Sequence, residues 1–204
     1  QYLHDVDPYD HPITVHHSST LDKTWTPFLG DPRFPVGSFQ VNKIDLVETW
    51  RAKSKEAGQP LVIGMDEYFP DTTSPENTDR HRKEYLWPIY FSGGNVEFIL
   101  DSLLRTDDFR RHENLWKYMA IARTFMENLP FWEMEPADHL LTGSSEFQGK
   151  NNTLQGQVFA KAGEIYAVFL SLAEQTGSLD LSGTEGAFVQ RWFNPRSGEY
   201  AGEM

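Results

Sequence analysis

Pro60-Leu61-Val62-Ile63-Gly64-Met65-Asp66-Glu67-Tyr68 is the stretch on which the fold turns. Its apolar and small residues run without alternation, the pattern of a strand buried on both faces in a parallel sheet. The run ends in two acids, so charge is delivered to the C-terminal edge of that strand, where α/β barrels build their active sites. A helical stretch, Asn42 to Gly58, precedes it. Ile44, Val47 and Trp50 form its apolar stripe, and Gly58 and Pro60 close it. Helix, buried strand and acidic strand end make one step of a βα barrel. The alternative is a solvent-facing acid pair that opens a loop.

A complete eight-stranded barrel takes about 250 residues, so the 204 residues of this chain predict part of one. The net charge of −12 argues against a basic face for nucleic acid or an anionic membrane surface. No run of 18 apolar residues predicts a membrane span. With zero cysteines, disulfides, thiolate catalysis and cysteine-ligated zinc are excluded. The chain opens on Gln1, which predicts a processed or truncated start.

Along the chain, Ile13 to His16 reads as a short strand, with His16, His17 and Ser18 at its end. Residues 19–38 read as a long loop, and Phe39-Gln40-Val41 as a brief strand. Thr78 to Phe91 reads as a helix that Pro88 bends or opens. Asn95 to Leu100 is the next strand, and Phe109 to Leu129 a long amphipathic helix. After Pro130 the helices stop. An irregular linker gives way to a hairpin, Val158–Lys161 with Ile165–Leu170, then to short strands at Ser178–Leu181 and Ala187–Phe193 and a turn at Asn194-Pro195-Arg196-Ser197-Gly198. The expected organisation is α/β followed by all-β, with domains at residues 1–131 and 132–204.

Three strand ends carry ionisable groups: His16 and His17, Asp66 and Glu67, and Glu97. Neighbours on a strand point to opposite faces, so one of each adjacent pair faces the barrel axis. Glu67 and Glu97 lie on consecutive strands, and two carboxylates about 5–5.5 Å apart suit a retaining glycoside hydrolase. The competing reading of Glu97 is a buried acid paired with Arg80 or Arg82. Trp25, Phe28, Tyr68, Phe69 and Trp87 supply flat rings that bury the apolar faces of sugars, or else ordinary core packing. His11, His16, His17 and Asp10 offer a zinc reading without a His-Glu-x-x-His helix. The spacing Asp5-x-Asp7-x-x-Asp10 lacks the glycine and distal glutamate of a calcium loop. Ser18 or Ser19 beside His17 lacks the Gly-x-Ser-x-Gly of a serine hydrolase, and no glycine-rich phosphate loop is present.

Asp7-Pro8-Tyr9-Asp10-His11-Pro12-Ile13-Thr14-Val15-His16, Pro60 to Tyr68, and Leu86-Trp87-Pro88-Ile89-Tyr90 with Gly93-Gly94-Asn95-Val96-Glu97-Phe98 resemble the end of a bacterial glycoside hydrolase-like barrel. The relatives are the apiosidase-like barrels of clan A type. Phe131 to Pro136, Ile165 to Leu170 and Arg191 to Gly198 resemble the β-sandwich that carries a collagen-binding name in these proteins. The resemblance implies that Ile13–His16, Leu61–Asp66 and Val96–Leu100 are barrel strands six, seven and eight, followed by an incomplete sandwich. It implies Glu67 as the nucleophile, with His16, Asp66, Tyr68, Trp87 and Glu97 binding substrate. The acid/base belongs to strand four, upstream of Gln1, so the chain is expected to be a fragment of a longer secreted or periplasmic enzyme, inactive alone. The expected partner is a carbohydrate, with no nucleic acid, membrane, metal or cofactor, and with oligomeric state open. Two alternatives from other classes are a non-catalytic carbohydrate- or protein-binding module and a metal-dependent hydrolase using His11, His16 and Asp10.

Overall fold

The computed structural model describes residues 2–17, 20–41, 43–100 and 109–203. Ser18, Ser19 and Asn42, which figure in the sequence readings, lie outside the described residues, as does the side chain of His17. Helix α1 (Tyr2–Val6) leads to strand β1 (His16–His17), helix α2 (Leu21–Trp25), strand β2 (Val36–Phe39), helix α3 (Asp45–Glu56) and strand β3 (Val62–Tyr68). Helix α4 (Pro75–His81), a π turn (Arg82–Leu86), helix α5 (Trp87–Phe91), strand β4 (Asn95–Phe98) and helix α6 (Glu113–Glu127) follow. The four strands form one open parallel sheet in the order β1-β2-β3-β4.

Strand β2 corrects the sequence reading of residues 19–38 as loop. It ends at Phe39, where a strand was expected to begin. Gly37 and Phe39 share a face, and the Phe39 ring lies so close that a Cβ on Gly37 would meet it at 2.9 Å. A four-residue strand containing glycine and serine leaves little hydrophobic signal. Because β2 pairs with both β1 and β3, the segment ending at His16 stands two strands before β3, not one. Residues 13–15 are not in the ladder; Thr14 Oγ1 instead donates to the Val36 carbonyl at 2.7 Å.

Among the described residues, the apolar core packs against one face of this sheet. Phe39, Ile63, Met65 and Val96 are buried and share a core with Val47 and Trp50 of α3 and Ile89 of α5. Opposite them, Val62 is 53% exposed, and Asn95 and Glu97 are exposed. The apolar run therefore forms a half-buried strand rather than a doubly buried one. Helix α3 is tied to β3 through Ser54, whose Oγ accepts the Leu61 N–H at 3.0 Å. Gly58, at φ +85°, lets Gln59 N–H reach the Ser54 carbonyl and its own N–H reach that of Lys55, closing the helix with a Schellman turn. Before β4, Pro88 cannot donate to the carbonyl of residue 84, and the helix widens into the π turn just ahead of it.

Beyond residue 130 come β5 (Glu135–Pro136), β6 (Leu141–Thr142), β7 (Phe147–Gln148), β8 (Thr153–Leu154), β9 (Gln157–Lys161), β10 (Ile165–Phe169), β11 (Ser178–Leu179), β12 (Arg191–Asn194) and β13 (Glu199–Glu203). They pair as a three-stranded sheet, β10-β9-β5, and three two-stranded ribbons, β11-β6, β12-β13 and β7-β8. These sheets are small and none closes. The expected boundary at residue 132 does not divide the core. Trp87 stacks on Phe169 with ring centroids 5.8 Å apart, Phe91 meets Phe159, and Phe193 packs on Phe125 at 4.7 Å. Gln157 Nε2 donates to the Pro88 carbonyl and to Ser92 Oγ, so hydrogen bonds cross this seam as well. No helix among the described residues is long and apolar enough to cross a membrane.

Candidate functional site at the end of strand β3

Strands β3 and β4 run in register at Gly64 opposite Asn95 and Met65 opposite Val96, then resume at Tyr68 opposite Phe98. Two residues, Asp66 and Glu67, thus face one, Glu97. This is a β-bulge, and Glu67 adopts φ +62° within it. A left-handed backbone at a non-glycine residue carries strain of about 1–3 kcal/mol, and such strain concentrates at functional sites. Past the bulge, Ile99 N–H donates to the Tyr68 carbonyl at 2.9 Å, so the ladder continues.

The bulge overturns the expectation that only one of Asp66 and Glu67 can face the site. With one residue added, Met65 and Tyr68 both turn to the core, and both acids are left at the open side. His16 Nε2, at the end of β1, lies 3.3 Å from Asp66 Oδ1 and 3.1 Å from Glu67 Oε2. Ser38, on β2 between them, donates through its hydroxyl to Asp66 Oδ2. Three neighbouring strands thereby place an imidazole, a hydroxyl and two carboxylates in one cluster. Asp66 is bound through Oδ2 by Ser38, while its buried Oδ1 lies near His16 but accepts no hydrogen bond among the described residues. Glu67 Oε2 is the oxygen that approaches His16, and its side chain is 26% exposed. The arrangement presents a carboxylate beside an imidazole at the C-terminal edge of a parallel sheet.

The other expected site residues lie elsewhere. Glu97 is exposed on β4 opposite the bulge, not buried against Arg80 or Arg82; Arg82 pairs with Asp79 instead. Tyr68 is 6% exposed and faces the core, stacked on Tyr85 at 4.1 Å, with its Oη 2.7 Å from His81 Nδ1. Burial raises its hydroxyl pKa, keeping it protonated. Trp87 is buried among Phe125, Phe169 and Phe193. Trp25 is buried against Phe28 and Phe39. These rings are core because the covered face of the sheet needs large apolar side chains. Among the five expected platform rings, Phe69 is the most open, at 49% exposed. It lines a hollow of about 530 Å³ with Pro70, Thr72, Thr73, Ile99 and His112, just beyond the ends of β3 and β4.

His11, His16 and Asp10 are not brought together. His11 Nδ1 meets Asp7 at 2.8 Å, Asp10 meets His4 at 3.4 Å, and His16 meets the β3 acids. Among the described residues, no group of three or more His, Cys, Asp or Glu is arranged to hold a metal ion. Sequence reasoning missed Ser38, hidden in the unrecognised strand, and His81, which had no motif. Comparison of the chain with protein-family models, with curated proteins and with solved structures returns no match.

Proposed function

We propose that this chain carries the nucleophile-bearing edge of a glycoside hydrolase barrel, with Glu67 as the nucleophile of a retaining reaction on an oligosaccharide or polysaccharide. The observation that carries the reading is the bulge, which holds Glu67 in a strained backbone and gathers it with Asp66 around His16. In this reading the Glu67 carboxylate attacks the anomeric carbon, and a second carboxylic acid protonates the leaving oxygen and then activates water. His16 lies beside one carboxylate oxygen, and the other is left for attack. Ser38 fixes Asp66, which shapes the site beside the nucleophile, and the exposed Glu97 faces substrate across the bulge. The proton donor comes from strand four of the longer protein, as the resemblance implies.

A panel of 4-nitrophenyl glycosides, assayed with the longer protein and its Glu67→Gln variant, tests the assignment. The expected result is a fall in kcat of about 1,000-fold or more with folding intact. A loss smaller than about tenfold overturns it. Saturable oligosaccharide binding without turnover in either protein would make this a carbohydrate-binding surface instead.

A further inference from the structure

A left-handed glutamate in a strand persists only where neighbouring contacts hold it. Directly after Glu67, the chain is gripped twice by one imidazole. Tyr68 Oη lies 2.7 Å from His81 Nδ1, and the Asp71 N–H donates to His81 Nε2 at 2.6 Å. The Asp71 bond fixes the tautomer. Nε2 accepts, so in the neutral ring the proton sits on Nδ1 and is donated to Tyr68 Oη. Burial keeps the ring neutral, pulling its pKa down to about 4. His81 is 1% exposed at the end of α4, which is itself anchored. Ser74 Oγ caps it by accepting the Asn77 N–H, and Asp79 is held by both Arg82 and Arg196.

We propose that His81 is the positioning residue for Glu67: by fastening Tyr68 and Asp71 to α4 it fixes the chain leaving the bulge, and so keeps the carboxylate against His16. The proposal rests on Glu67 being the nucleophile. His81 acts through Tyr68 and Asp71 rather than by touching substrate. A histidine that merely filled core space would be replaceable by phenylalanine with no effect at His16. A positioning histidine would not.

The test uses the His16 Cε1–Hε1 resonance, assigned by its loss in His16→Gln, as a reporter of the carboxylate cluster at pH 7. In His81→Phe the peak is expected to move more than half of the way to its position in Glu67→Gln. In His81→Gln, whose amide oxygen can still accept the Asp71 N–H, it is expected to return at least halfway. An unmoved peak in folded His81→Phe overturns the proposal. If His81→Phe fails to fold by circular dichroism, Tyr68→Phe decides, because it removes one hydroxyl and keeps the stacked ring. Movement of the peak supports positioning, and an unmoved peak overturns it. On whichever aryl glycoside the longer protein cleaves, the His81 change is expected to lower kcat about 100-fold with KM within about threefold. A loss confined to KM also overturns the proposal. The resonance is read without turnover, so an active Glu67→Gln variant would sink the nucleophile reading while the peak still reports whether His81 holds the bulge.

Discussion

Replacing Glu67 by glycine and, separately, by alanine reads the backbone of the bulge directly. Both changes remove the carboxylate and its 3.1 Å approach to His16, so that loss cancels in the comparison. What remains is conformation. At φ +62° an alanine keeps the left-handed backbone that a glycine adopts freely, a difference of about 1–2 kcal/mol. Glycine gives back about 0.5–1 kcal/mol through the greater freedom of its unfolded chain. The balance leaves Glu67→Gly more stable than Glu67→Ala by about 0.5–1 kcal/mol, or about 1–4 °C in Tm for a chain of this size. In a regular strand the sign reverses, because glycine is there the worse residue. Urea unfolding followed by fluorescence of the buried Trp25, Trp50 and Trp87 measures both midpoints. A Glu67→Ala variant at least as stable as Glu67→Gly, with equal slopes, would refute the left-handed bulge. The explanation of how Asp66 and Glu67 come to share His16 would fall with it.

Four further outcomes follow from the packing and the charges. Burial pushes the Asp138 carboxyl up to about 6, so its contribution to stability is lost as pH rises through that value. Asp138→Asn keeps an acceptor for the Val158 N–H and should be more stable than the parent by about 1 kcal/mol at pH 7, after allowance for solvent screening. Chemical unfolding should show that gain vanishing below pH 4. His81 has the opposite sign: with its pKa pulled from 6.5 to about 4, stability is lost as pH falls through that window, and His81→Gln should flatten the loss. Arg196 holds the β12–β13 turn to α4 through Asp79. Arg196→Ala should speed amide exchange at Glu199–Glu203 while lowering global stability by no more than about 1 kcal/mol. Trp87→Ala should cost about 3–5 kcal/mol and still give a single calorimetric transition; two resolved transitions would refute a core shared across residue 131.

The sequence was readable where periodicity or composition acts locally. The stripe at Ile44, Val47 and Trp50 marks α3, the apolar run before Asp66 marks β3, and Val158 to Leu170 contains the β9–β10 hairpin. His16, Asp66 and Glu67 were picked out as strand-end residues, and the structure brings these three together. What escaped depends on partners distant in sequence. A bulge is a mismatch between two strands and is not written in either alone. Glu67 also lacks the glycine that would announce a left-handed residue. Tyr68 and Trp87 looked like sugar platforms because an aromatic ring has the same letter whether it faces solvent or core. Which it faces is set here by the parity shift at the bulge and by the later hairpins. Strand β2 escaped because Gly37 makes room for Phe39 instead of contributing a side chain.

The seam between the two parts has a consequence for inheritance. Trp87 and Phe91 of the first part are sealed by Phe159, Phe169 and Phe193 of the second. A recombination event that exchanged everything after Leu129 would have to bring matching aromatic rings, and an acceptor pair for the Gln157 amide, in the same step. Lineages carrying one part should therefore carry the other, and shuffling at this point should yield aggregating hybrids more often than working ones.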